Sequence, residues 1–201
     1  MSIAALGDYR AFIAQKKRTV APAGFDIEES AINPALFPFQ MEIVRRAVKL
    51  GRMAVCADCG LGKTFMQLEW ARIVADHTGG RVLILAPLGV ARQTEDEAAK
   101  IGIRAVYSRD GKTDARIVVA NYEILDHFDG QEFAGVVLDE SSILKNFTGV
   151  IRNKLIDRFA GLRFKLACTA TPAPNDFMEL GNHAEFLGAM DRSGMLSRFF
   201  V

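Results

Sequence analysis

A chain of 201 residues, half of them hydrophobic, can bury one well-packed domain but has little room for a second full one. Its net charge of +1 argues neither for nor against nucleic acid, so any such surface must be local. No run approaches the length of a membrane span, the N-terminus lacks a secretory signal pattern, and the three cysteines form no disulfide framework. A cytosolic compartment and no membrane partner are therefore expected.

In chain order, Ile3, Leu6, Tyr9 (or Arg10) and Ile13 recur at helical spacing, with Lys16, Lys17 and Arg18 at the cation-favouring end of that helix. Thr19 to Pro38 is rich in Pro and Gly and reads as an irregular lead-in. Pro38 opens a helix through about Leu50, with Ile43, Val44, Ala47 and Val48 on its buried side. From there short apolar runs alternate with helical stretches. The runs are Met53–Ala57, Val82–Ala86, Ile103–Tyr107, Ile117–Ala120, Gly135–Leu138 and Phe164–Thr169. The helical stretches are Lys63–His77, Gly89–Ile101, Tyr122–Phe128 and Val150–Phe159.

Several of the runs are apolar throughout, as strands covered on both faces should be. Strand, helix, strand in repetition predicts an α/β fold with a mainly parallel sheet and helices on both faces. Ligands of such sheets bind at the carboxyl ends of the strands. The C-terminal stretch stays apolar to Val201 and reads either as a docked helix or as a lead into a further domain.

Two sites carry the chemistry. Residues 57–64 read Ala-Asp-Cys-Gly-Leu-Gly-Lys-Thr, between an apolar run and a periodic helix. Cys59, Gly60, Leu61 and Gly62 would supply converging backbone N–H groups for an anion, and the helix start adds its positive end. Lys63 would reach the β and γ phosphates of a nucleotide, and Thr64 a Mg²⁺ ion. Asp139 and Glu140 close the apolar run that ends at Leu138. Asp139 would hold the metal, and Glu140 would orient and deprotonate an attacking water. The bland reading of such an acid pair is a solvated strand end.

Three further features are equivocal on their own. The side-chain amide of Gln40 matches the N6 donor and N7 acceptor of adenine, but Gln at a helix start is also ordinary polar filling. Thr169 and Thr171 would place hydroxyls near the acid pair, or simply end a strand before Pro172. Cys56 and Cys59 have the spacing of half a zinc or redox site, yet no second pair follows, so buried thiols are the simpler expectation.

These motifs stand in one order that resembles the first RecA-like domain of superfamily 2 helicases and translocases, above all the Swi/Snf-type branch. Leu36-Phe37-Pro38-Phe39-Gln40 is similar to that branch's adenine-reading L-R-P-Y-Q, and Gly60 to Thr64 spell its G-L-G-K-T. Ala86-Pro87-Leu88 resembles motif Ia, and Asn121-Tyr122-Glu123 resembles the T-Y-E of motif Ib. Asp139 to Asn146 parallel D-E-G-H-R-L-K-N, and Thr169-Ala170-Thr171-Pro172 parallel T-G-T-P. The D-E-S-S spelling is similar to that of helicases encoded by phages and prophages. Ser142 stands where the family has a histidine that links hydrolysis to nucleic-acid binding, and Thr94 lies near the place of the motif Ia tryptophan.

The resemblance implies a P-loop NTPase domain over residues 36–201, after an N-terminal helix and lead-in over 1–35. It implies ATP and Mg²⁺ as cofactors, bound by Gln40, the 59–64 loop, Thr169, Thr171 and the acid pair. Pro87, Leu88, Asn121 and Tyr122 would follow a nucleic-acid backbone, DNA rather than RNA. A second RecA-like domain of the same protein is the implied partner and has no counterpart in these residues, so turnover should be weak alone. A phage-encoded protein of this kind would work in the bacterial host's cytoplasm. The rival readings are a nucleotide-dependent binding module without turnover and a P-loop ATPase of another mechanical class.

Overall fold

The computed structural model describes residues 20–145, 149–173 and 175–200. The expected helix around Ile3 to Ile13 and the motif residue Asn146 lie outside them. Six strands form one sheet: β1 (Arg52–Cys56), β2 (Val82–Ala86), β3 (Ala105–Tyr107), β4 (Ile117–Asn121), β5 (Gly135–Asp139) and β6 (Phe164–Thr169). Their order is β1-β6-β5-β2-β4-β3, and every pairing is parallel. This is an α/β, RecA-like sheet.

Residues alternate between the two faces along each strand. Val82, Ile84 and Ala86 of β2 join one core cluster while Leu83 and Leu85 join the other. Both faces are dry because helices cover both, which is why β2, β4, β5 and β6 are buried along their whole length. The first face is covered by α1 (Pro38–Leu50), α2 (Lys63–Thr78) and α3 (Leu88–Lys100). The second lies under a 3₁₀ helix (Tyr122–Phe128), α4 (Val150–Arg158) and α5 (Leu180–Phe186). A last helix, α6 (Arg192–Phe199), packs on α5 through Met195.

Local sequence explains the helix ends nearest the site. Pro38 occupies the first turn of α1, where a missing N–H is harmless, and Gly51 ends the helix at φ +74°. Gln40, Val44, Ala47 and Val48 make its buried stripe. Helix α2 is buried on nearly every side, including Glu69, whose carboxylate is paired with Arg72 and accepts the Asn33 N–H. The stretch Tyr122–Phe128, expected as helical, is a 3₁₀ helix, and β3 starts later than expected, at Ala105.

Candidate nucleotide site

Strands β1, β6 and β5 are neighbours, so their carboxyl ends deliver three loops to one place. Leaving β1, Ala57 donates its N–H to the Thr169 carbonyl at the end of β6, 3.2 Å away. Gly60 and Gly62 then take φ of +81° and +72°, a conformation that turns the chain under the start of α2. The N–H groups of Gly60, Gly62, Lys63 and Thr64 find no acceptor among the described residues, leaving them available to an anion. Lys63 Nζ donates to the carbonyls of Ala57 (2.8 Å) and Asp58 (3.1 Å), which holds the ammonium over the loop.

The acid pair sits beside it. Asp139 ends β5, 8% exposed, with Oδ1 accepting from Gln67 Nε2 (2.7 Å) and from the Glu140 N–H (3.1 Å). Its Oδ2 makes no hydrogen bond among the described residues. Burial pushes the Asp139 carboxyl above its ordinary pKa, against the lowering effect of those two donors. Glu140 is the one non-glycine residue at positive φ among those described, at +52°, and its Oε1 accepts from Thr169 Oγ1 at 2.7 Å. Strained backbone of this kind persists where its surroundings hold it, most often at functional sites.

Gln40 is 2% exposed, and both ends of its amide are engaged. Oε1 accepts the Phe37 N–H (2.9 Å), a cap on the start of α1, and Nε2 donates to the Leu61 carbonyl (3.0 Å) in the phosphate loop. The helix-start reading of Gln40 is thus present in the structure, and the amide also ties α1 to the loop. A Cβ on Gly62 would lie 2.3 Å from Gln40 Nε2, so only glycine lets the two approach. Thr171 is exposed, and its N–H donates to Thr169 Oγ1 (3.0 Å).

Some expectations need correction. Tyr122 is 3% exposed and donates its hydroxyl to the Asp139 carbonyl (2.7 Å), so its ring cannot lie along a nucleic-acid backbone. Asn121 is likewise buried, receiving from Tyr107 and donating to Glu123. Leu88 is 63% exposed and Pro87 half-buried, at the start of α3. Cys56 and Cys59 are exposed free thiols; only Cys168 is buried.

Gln67 went unread in the sequence. It lies three residues after Thr64, on the same side of α2, and that spacing alone could have flagged it. His183 also went unread. Its Nε2 lies 3.0 Å from Ser141 Oγ, directly behind the acid pair. Residues 42 apart give no local signal for that contact.

A nucleoside triphosphate with Mg²⁺ fits this donor set. Free N–H groups and an ammonium suit phosphate, and the unbonded Asp139 Oδ2, beside Glu140, suits a cation with Thr64 as a second ligand. Among the described residues no group of three or more His, Cys, Asp or Glu could hold a metal by itself.

The fold is that of a RecA-like α/β domain, shared with solved helicase and translocase cores. The Sulfolobus solfataricus SWI2/SNF2 ATPase core, solved in complex with double-stranded DNA, superposes with a TM-score of 0.72 at 22% identity, over 85% of this chain and 40% of its own. The UvsW helicase of bacteriophage T4 superposes with a TM-score of 0.61 at 17% identity, over 91% of this chain and 66% of that one. At these identities the likeness is one of fold. In sequence, protein p41 of Acyrthosiphon pisum secondary endosymbiont phage 1 is 30% identical over 197 residues. That alignment takes in 82% of this chain, which spans 41% of the phage protein's length. No family model matches the chain.

Proposed function

We propose that the chain is the ATP-binding half of a DNA-dependent ATPase that couples hydrolysis to movement on, or remodelling of, nucleic acid. One observation carries this reading: the adjacent ends of β1, β6 and β5 bring the phosphate loop, Thr169 and the Asp139–Glu140 pair together. Bound Mg²⁺ would supply charge neutralisation at the phosphates. The loop N–H groups and Lys63 bind and orient the triphosphate, Thr64 and Asp139 hold the cation, and Gln67 holds Asp139. Glu140, steadied by Thr169, takes the proton of the attacking water. Gln40 keeps one lone pair and one N–H beyond its internal bonds, which suit adenine.

DNA is proposed as the partner from the SWI2/SNF2 neighbour, whose structure contains it. The exposed Leu88 and its neighbour Pro87 form the lip we assign to that contact. A second RecA-like half is proposed to complete the site. An arginine supplied by such a partner is worth about 10³ to 10⁵ in rate in related phosphoryl transfer, so this chain alone should turn over slowly. No helix among the described residues is long and apolar enough to cross a membrane, and the bacterial host cytoplasm is the proposed setting.

Duplex binding measured by fluorescence anisotropy between about 50 and 200 mM salt tests the partner. Affinity should fall steeply with salt, without sequence preference, and DNA should accelerate ATP cleavage. Salt-insensitive or strongly sequence-selective binding would contradict the reading.

A further inference from the structure

We propose that His183, carried by α5, is a positioning residue for Glu140, acting through Ser141. This rests on the hydrolytic reading above. Ser141 is the residue after Glu140, has no exposed surface, and meets His183 Nε2 at 3.0 Å. His183 is itself only 4% exposed. A buried hydroxyl needs a partner, and among the described residues the imidazole is the one it has. Burial lowers the pKa of His183 and favours the neutral ring, in which Nε2 meets Ser141 while the buried Nδ1 makes no hydrogen bond among the described residues.

The neighbouring residue extends the grip. Asn182 Nδ2 donates to the Lys145 carbonyl (3.3 Å), so consecutive residues of α5 hold both ends of the 3₁₀ turn Ser141–Lys145. Asn182 Oδ1 in turn accepts from Arg152 of α4 (3.1 Å), and Arg152 pairs with Glu185. That turn begins where Glu140 holds its positive φ. Two anchors thus fix the glutamate. Thr169 holds its carboxylate, while α5 holds the backbone that aims it. Removing the second anchor should release the φ, swing the carboxylate, and spare the phosphate loop, to which neither His183 nor Ser141 is hydrogen-bonded among the described residues.

The test uses the whole 201-residue chain as wild type, His183→Ala, His183→Gln and Ser141→Ala. A fluorescent ATP analogue with Mg²⁺ gives Kd, and single-turnover ATP cleavage with protein in excess gives the chemical rate. Cleavage in His183→Ala and Ser141→Ala should fall roughly tenfold or more, as misplacing a reacting group does. Kd should stay within about twofold, the pattern of an interaction made after binding. His183→Gln, whose amide can still meet Ser141, should recover much of the rate. Without nucleotide, the ¹⁵N ring signals of His183 should move in Ser141→Ala while those of His77 and His127 stay.

Unchanged cleavage, a Kd that worsens in step with the rate, or unmoved His183 signals would overturn the proposal. If His183→Ala loses its fold, seen by the fluorescence of buried Trp70, Ser141→Ala carries the test because it removes one oxygen atom. A wild type that neither binds nor cleaves would overturn the hydrolytic reading itself, and this proposal with it. Wild-type turnover with unaffected variants overturns this proposal alone.

Discussion

Thr169 Oγ1 donates a 2.7 Å hydrogen bond to Glu140 Oε1, joining the end of β6 to the residue that follows β5. The same oxygen accepts the Thr171 N–H, so the Thr-Ala-Thr turn and the acid pair form one unit. Movement of the turn must therefore be felt at the proposed general base. Spacing in the sequence left Thr169 between a strand end and a functional hydroxyl; the structure gives it a contact with the acid.

Thr169→Val keeps the shape of the side chain and removes this bond. Single-turnover ATP cleavage should drop by about ten- to a hundredfold while nucleotide affinity changes little. A matching loss of affinity would place Thr169 in binding instead.

Asp139→Asn should stabilise the fold at neutral pH while abolishing hydrolysis. Burial raises the folded-state pKa of Asp139 above its unfolded value. Its contribution then favours the fold at low pH and is lost as pH rises through the folded pKa, leaving a buried charge that works against folding at pH 7. The asparagine keeps an oxygen for Gln67 and removes the charge. Single stabilising substitutions commonly yield about 0.5–2 kcal/mol, and a gain of that order is expected here. Paired thermal melts at pH 7 and below the ordinary carboxylate range check it, because the gain should shrink in acid.

Lys165 lies within the sheet, 1% exposed, donating to the Phe186 carbonyl (2.9 Å) at the end of α5. Burial lowers its pKa from 10.5 to about 8. The folded chain therefore sheds this proton first, and between about pH 8 and 10.5 the unfolded chain binds more protons, so this residue's contribution to stability rises with pH. Against Lys165→Met, wild type should gain stability across that window. The buried Tyr122 and Cys168 are common to both chains and largely cancel. A flat difference between the two melting curves would show that Lys165 stays charged.

Much of the fold was legible because a sheet covered on both faces writes itself as unbroken apolar runs. The expected bounds of β2 and β6 match the structure, and those of β4 and β5 fall one residue short. The conformation of the 57–64 loop was legible for a local reason: left-handed turns at Gly60 and Gly62, then a helix start, are encoded within a few residues. Tertiary features were not. Tyr122, expected from its motif to follow a nucleic-acid backbone, is drawn inward because its ring fills the second core and its hydroxyl satisfies a strand-end carbonyl. Gln67 and His183 matter through partners 72 and 42 residues away, which periodicity cannot report. Cys56 and Cys59, expected to be buried, lie where the chain leaves the sheet and are exposed.

The most direct test of the central claim is isothermal calorimetry of ATP with Mg²⁺ into wild type, Lys63→Ala and Gln40→Ala. Binding is expected in wild type, its loss in the lysine variant, and a weaker affinity with reduced adenine preference over GTP in the glutamine variant. Binding that survives Lys63→Ala unchanged, or no binding in a folded wild type, would contradict the claim.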